Sequence, residues 1–275
     1  MYIAVVGCVH GELELMYNTI KELENERGVK ADIILCTGDF EAMRNEDDLR
    51  TLTCPQKYRT MGDFCKYHNG EFQAETLTLF IGGNHEAVGH MKELPWGGWV
   101  APNIYYMGRA GVMKFGDLRI AGISGIFHKQ SYKLPLPEQA ITEDECKSLF
   151  RVRVFDVDKL LRIRSPDIFL SHDWPRGIYR HGNTEELLKI KPFLKDEIRI
   201  GSLGSPAGKM LLDHLKPKYW FASHMHVRFL AQTQSTKFLA LDKAIRGRRF
   251  VEILRIEGEP GPFEPDQEWL NIIEN

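Results

Sequence analysis

Nowhere in the 275 residues does an apolar run approach the ~20 needed to cross a bilayer as a helix. No membrane span is therefore expected. No basic stretch flanks the apolar start, residues 1–9, and polar His10-Gly11-Glu12 follows at once. That start reads as a first strand rather than a leader peptide, and an intracellular protein is the expectation. The C-x-x-C pair is also missing. The five cysteines (Cys8, Cys36, Cys54, Cys65, Cys146) are odd in number and scattered. Neither a disulfide framework, a disulfide-linked partner nor a structural zinc knuckle is expected from them. There is no excess of positive charge: 36 Lys and Arg face 38 Asp and Glu, for a net charge of −2. A globally basic nucleic-acid binder is excluded, while a local basic face is not. Repeats and low-complexity tracts are absent. Hydrophobic residues at 43% and charged residues at 27% fit an ordinary globular chain, of a length suited to one large α/β domain or two small ones.

What is present is a recurring local grammar. An apolar strand-like run ends in a small or thiol residue and then in a metal-ligand type. Residues 2–7 lead to Cys8 and His10, residues 32–38 to Asp39, and residues 77–83 to Asn84 and His85. Residues 167–171 lead to His172, and residues 219–223 to His224 and His226. Short continuous runs rich in Ile, Val and Phe predict buried strands. Helices are predicted over 12–26, ended by Gly28, and over 206–215, stopped by Pro217. Alternating strands and helices predict an α/β fold, whose ligands gather at the carboxyl ends of strands. A hairpin is predicted from 112–115 to 118–123 across Gly116-Asp117. Residues 148–164 are predicted helical and basic, with Lys147, Arg151, Arg153, Lys159, Arg162 and Arg164 against only Asp156 and Asp158. Residues 257–275 hold six carboxylates and no Lys or Arg, and are expected on the surface, anchored by Phe263 or Trp269.

The set Cys8, His10, Asp39, Asn84, His85, His172, His224 and His226 suits a metal centre. Cys8/His10 and His224/His226 are i, i+2 pairs, which project to one side of extended backbone. Imidazole, carboxylate, carboxamide and thiolate are all transition-metal donors. Seven ligands with one bridging carboxylate divide into two sites, the clamp suited to in-line displacement at phosphorus. A lone His is more often a surface or satisfied core residue, and a lone Cys an inert thiol. Five strand ends with compatible ligands are not explained that way. Cys36, Cys54, Cys65 and Cys146 are read as plain thiols.

Several strings resemble the calcineurin-like metallophosphoesterases: Gly7-Cys8-Val9-His10-Gly11, Gly38-Asp39, Gly82-Gly83-Asn84-His85-Glu86, Ser171-His172-Asp173 and His224-Met225-His226. Within that group, Trp96-Gly97-Gly98-Trp99 and His172-Asp173-Trp174-Pro175 make the chain similar to the family that debranches RNA lariats. The resemblance runs over about residues 1–255. Cys8, where the wider group has Asp, narrows it further, and Ser223 stands where Gly is usual.

The resemblance implies a two-sheet sandwich flanked by helices, a metallophosphoesterase domain over 1–256 and an acidic extension over 257–275. It implies two divalent metal ions, Fe²⁺ or Zn²⁺ favoured by the thiolate and Mn²⁺ tolerated. Cys8, His10 and His226 would hold one ion, Asn84, His172 and His224 the other, and Asp39 would bridge. Asn84 and His85 are the catalytic candidates. His85, beside a ligand but not one itself, would protonate the departing 2′-oxygen or else only orient phosphate. Glu86 and Asp173 would hydrogen-bond imidazoles, or be ordinary carboxylates. An insert over 128–165 would recognise the lariat. The RNA-binding candidates are His128, Lys129, Tyr132, Lys133, Arg151 and Arg153, together with Arg176 and Tyr179, expected near the metals. Trp96 and Trp99 would stack on bases or pack in a Gly-rich loop. The implied substrate is branched RNA, cut at its 2′,5′-phosphodiester in intron turnover by a nuclear monomer. The alternatives are another phosphoesterase, acting on phosphoproteins or cyclic nucleotides, or a scaffold without catalysis.

Overall fold

The computed structural model describes residues 1–138 and 142–274. Residues 139–141 of the expected insert, and Asn275, lie outside the described residues. Thirteen strands are described: β1 (Tyr2–Val6), β2 (Ile33–Cys36), β3 (Thr78–Phe80), β4 (Gly98–Ala101), β5 (Ile104–Tyr106), β6 (Ala110–Phe115), β7 (Leu118–Ile123), β8 (Ile168–Ser171), β9 (Tyr219–Ala222), β10 (Phe229–Gln232), β11 (Lys237–Ala240), β12 (Val251–Arg255) and β13 (Phe263–Pro265). They form two sheets, ordered β12-β1-β2-β3-β5-β4 and β10-β11-β9-β8-β7-β6-β13. β1, β2, β3 and β5 run parallel in the first sheet. β7, β8, β9 and β11 run parallel in the second.

Residue alternation along each strand builds three apolar layers. Ile3, Val5, Ile33, Leu35 and Leu79 face Ile120, Ile168, Leu170, Phe221 and Leu239 between the sheets. Their neighbours Ala4, Val6, Ile34 and Phe80 turn outward onto Leu13, Met16 and Ile20 of the helix Leu13–Arg27. On the far side Phe169, Trp220 and Phe238 pack on Leu211 and Leu215 of the helix Pro206–Leu215. Both faces of each central strand are thus buried, which explains why these strands read as unbroken apolar runs. The molecule is a two-sheet α/β sandwich with helices on its outer faces, as expected. The five predicted ligand-bearing strands are β1, β2, β3, β8 and β9, and the predicted hairpin is β6–β7.

Two expectations need correction. The predicted helix over 148–164 is broken into Glu143–Leu149 and Val154–Leu160, because residues 151–153 run extended between them. Arg153 is fully buried there, donating to the backbone oxygens of Arg151 and Ser148 at 2.7 and 2.9 Å. Its guanidinium is committed to holding the two helices together.

Residues 257–274 are anchored by Trp269, as expected, but they do not merely lie on the surface: they contribute to the second sheet and its outer core. β13 pairs with the edge strand β6, and the helix Gln267–Glu274 buries Trp269 and Ile272. Asp266 accepts from Arg119 Nε and Nη2, both at 2.9 Å. Phe263, half-buried, packs edge-on against Trp99 and Tyr105. Trp99 is thereby used partly in packing, and Trp96 carries the Lys159 ammonium over its ring.

Trp269→Ala is expected to destabilise the fold by ~3–5 kcal/mol, the usual cost of emptying a buried indole site. The measurement is the urea midpoint at unchanged m value. A shift worth less than ~1 kcal/mol would show that the helix merely lies on the surface.

Candidate metal centre

All five ligand-bearing loops leave the carboxyl ends of parallel strands, so one edge of the sandwich collects them. The turns are tight. His10, Asp39, Glu41, His224 and His226 all have positive φ, between 47 and 60°. Non-glycine residues adopt this left-handed region rarely and at a cost. Only Asn103 and Lys216 share it elsewhere among the described residues, so the strain is concentrated at this edge. The strain has a consequence for direction: His10, His224 and His226 do not continue extended strands. Cys8 and His10 still meet in one cluster, whereas His226 joins them and His224 lies beside His172, so the second i, i+2 pair is divided.

One donor from each of Cys8, His10, Asp39 and His226 lies within 4.8 Å of all the others. His10 Nε2 is 3.3 Å from His226 Nε2 and 3.6 Å from Asp39 Oδ2. Asp39 Oδ1 faces a different set. It lies 3.4 Å from His172 Nε2, which is 3.1 Å from Asn84 Oδ1. The His224 ring is centred 4.9 Å from that of His172. Asp39 Oδ2 is buried without a hydrogen-bond partner. An orphaned carboxylate oxygen among imidazoles and a thiol fits a cation, which would complete its bonding.

Three imidazoles are oriented by groups behind them. His10 Nδ1 lies 3.0 Å from Glu41 Oε1, His172 Nδ1 2.9 Å from Thr37 C=O, and His85 Nδ1 3.1 Å from Thr53 C=O. Oxygens of this kind accept, so each Nδ1 carries the proton and each Nε2 is left for the site. Glu41 was not singled out by sequence; its signal was only a carboxylate two residues past Asp39. Thr53 was missed too. Its hydroxyl donates to Asn84 C=O at 2.7 Å and shapes the turn that presents Asn84 and His85. The Ser223 hydroxyl donates to Thr37 C=O at 2.9 Å beside His172 Nδ1, which accounts for a serine there.

Glu86 and Asp173 do not hydrogen-bond imidazoles. Glu86 is fully buried and accepts the backbone N–H groups of Gly83, Phe40 and Glu41 at 2.8–2.9 Å. It binds the loop after β3 to the loop after β2. Burial, with Asp39 nearby, raises its pKa to about 8. Asp173 accepts the N–H of Trp174 at 2.8 Å, and burial raises its pKa to about 6. Asp39 behaves oppositely. Burial pushes it up, but His172, His10 and His85 prevail and hold it well below the ordinary carboxylate value. Burial takes His224 and His226 down to about 3, aided by neighbouring imidazoles. Both are neutral at pH 7, as metal ligation requires.

A cleft of about 440 Å³ opens onto the centre, lined by His10, His85 and His226 and by Glu41, Tyr58 and Lys243 among others. Tyr179 is buried and donates to Ile198 C=O at 3.2 Å, so it is a core residue and not an RNA contact. Arg176 lines a separate depression with Arg180 and Lys209. His128, Lys129, Tyr132 and Lys133 are at least partly exposed. Arg151 is half-buried, paired with Asp144 at 2.9 Å.

Residues 1–228 match the model of the calcineurin-like phosphoesterase family, which defines the class of this fold and site. Residues 233–275 match the C-terminal domain of lariat debranching enzymes. The chain is 49% identical to the lariat debranching enzyme of Danio rerio, over 99% of its own length and 51% of that protein. For the Homo sapiens enzyme the figures are 50%, 99% and 53%, and for that of Arabidopsis thaliana 48%, 99% and 68%. The chain belongs to the lariat debranching enzyme family, and it spans about half the length of the first two relatives. Membership of the phosphoesterase class implies divalent metal ions. Among the described residues, no helix is long and apolar enough to cross a membrane.

Gly83 touches Asp39 so closely that a Cβ would lie 2.0 Å from Asp39 Oδ1. Gly83→Ala should therefore displace the Asp39 carboxylate. The expected outcome is at least a tenfold loss of metal affinity with the circular dichroism spectrum kept, measured as metal retained after dialysis. Parental metal content would show that Asp39 does not hold the ions.

Proposed function

We propose that this chain hydrolyses the 2′,5′-phosphodiester at the branch of lariat RNA, giving linear RNA in intron turnover. Asp39 carries the reading. Its two oxygens face two donor sets, Oδ2 toward His10 and Oδ1 toward His172, and relatives 48–49% identical to the chain are lariat debranching enzymes. Cys8, His10 and His226 would hold one divalent ion and Asn84, His172 and His224 the other, with Asp39 between the two sets. The Cys8 thiolate favours Fe²⁺ or Zn²⁺, with Mn²⁺ tolerated. Bound there, such ions stabilise charge on the phosphoryl oxygens and make an attacking water more acidic.

The chain's own groups do the rest. His85 lines the cleft but is oriented by Thr53 C=O, which leaves Nε2 to face the substrate. Its role is to protonate the departing 2′-oxygen from Nε2, which requires the imidazolium form with a second proton on Nε2. Burial lowers the His85 pKa, so that form is the minor one until the substrate's negative charge is bound. Asn84 beside it positions the phosphate. His128, Lys129, Tyr132, Lys133, Arg151 and Arg176 supply cations and rings for the RNA arms. The setting is the nucleus, and the acting form is a monomer without a disulfide-linked partner.

Incubating branched and linear RNAs of one sequence together tests the reaction. The branch should be cut, leaving a 5′-phosphate on the released arm and a free 2′-hydroxyl. Equal cleavage of linear 3′,5′ RNA would sink the assignment. His85→Ala should lower turnover by ~10²-fold or more at unchanged metal content. A substrate with a more acidic leaving group should recover much of that loss. If both substrates suffer alike, His85 orients phosphate and does not protonate.

A further inference from the structure

The segment joining β11 to β12 carries Lys243, Arg246, Arg248 and Arg249, none of which the sequence pattern singled out. It is bound tightly to the metal centre. Lys243 pairs with Cys8 in a short parallel bridge, and the Ala244 N–H donates to Cys8 C=O at 2.8 Å. Asp242 N–H donates to Arg249 C=O at 3.1 Å, and Gly7 N–H to Phe250 C=O at 2.9 Å. A Cβ on Gly7 would lie 1.9 Å from Asp242 C=O, so the segment presses directly on the end of β1. Its position is therefore set by the strand that presents Cys8 and His10.

Lys243, Ala244 and Ile245 line the cleft beside His10, His85 and His226. The Lys243 ammonium forms no salt bridge with a carboxylate of the described residues, although its charge is felt at both His10 and His226. Arg248 reaches Asp242 at 3.2 Å, while Arg246 and Arg249 are exposed. Lys191 adds to the cluster. Burial lowers its pKa, Asp242 opposes that, and the charges of Arg248 and Lys243 contribute to the lowering. Glu12 and Glu41 also line the cleft, but Glu41 is committed to His10. Of these cations only Arg248 has a carboxylate within salt-bridge distance among the described residues, so the segment carries positive charge that an anion would offset. Ile245, 40% exposed, offers apolar surface beside the ammonium.

We propose that segment 242–249, with Lys243 at its cleft end, seats a backbone phosphate of the RNA arm flanking the scissile linkage. This rests on reading the chain as an RNA phosphodiesterase. The seat contacts phosphate and reads no base, so it sets the register of the arm without sequence preference. Its contribution weakens with salt, because binding releases counterions from the RNA.

The test uses the metal-loaded protein and a fluorescent branched RNA with a phosphorothioate at the branch. Affinity is measured by anisotropy over a salt series. Lys243→Gln should raise Kd ~10-fold and reduce the slope of log Kd against log salt by about 0.7–1. Lys243→Arg should restore the slope, and Arg246→Gln with Arg249→Gln should reduce it further. Lys30→Gln, exposed before β2 at the opposite ends of the strands, should change neither quantity. A parental slope in Lys243→Gln, or a loss that Lys243→Arg does not restore, overturns the seat. Cleavage of the all-phosphate branched RNA by the parent is followed in parallel. A parent that binds with this charge signature but leaves the branch uncut overturns the reaction alone. A parent that cuts the branch while Lys243→Gln keeps the parental slope overturns the seat alone. A parent that does not bind the RNA overturns both.

Discussion

A single buried carboxylate organises this edge of the molecule. Asp39 sits where the two sheets meet, almost without solvent, and an isolated charge there would be prohibitively costly. It persists as a carboxylate because loops from both sheets bring imidazoles to it. His10 arrives from β1, His85 from β3 and His172 from β8. The backbone takes part as well: the His10 N–H donates to Asp39 C=O at 2.6 Å, and the His85 N–H donates to Oδ1 at 2.9 Å. Glycine at position 83 leaves the space this convergence requires, since any side chain there would occupy the carboxylate's position.

The same convergence accounts for the strained turns. Left-handed backbone at His10, Asp39, Glu41, His224 and His226 costs stability residue by residue. The surrounding structure holds it in place. Glu86 is the main clamp, gathering three backbone N–H groups from two loops into one buried carboxylate. Positive charge enters the cleft at Lys243 and is otherwise distributed around it. The Lys243 segment is attached to Cys8, whereas the basic residues of 128–165 divide between solvent and structural duty. Arg153 shows the division most clearly, since a guanidinium that holds two helices together cannot also reach a phosphate.

Much was legible from sequence because the relevant signals are local. A strand buried on both faces must be apolar at every position, so β1, β2, β3, β8 and β9 announce themselves. The chemistry of a ligand is likewise a property of its side chain. The donor set could therefore be recognised at the strand ends, and the likeness to phosphoesterases could be recognised with it. The helix Pro206–Leu215 was legible to the residue, since proline can start a helix and the proline at 217 cannot continue one.

Which donors share a neighbourhood does not follow from spacing: the resemblance divided them into two sets, and contacts in the folded chain place them. Spacing suggested that His224 and His226 act together. Left-handed turns instead send His226 to Cys8 and His10, and His224 to His172. Glu41, Thr53 and Lys243 carry no motif, and each matters because a distant loop happens to rest against it. Burial decided the fate of Arg153 and Tyr179 in the same way. Composition and periodicity are read along one dimension and so report what a residue can do. Partners are set by contacts between segments far apart in the chain, such as Cys8 with Lys243, and those exist only once both sheets have closed on their shared core.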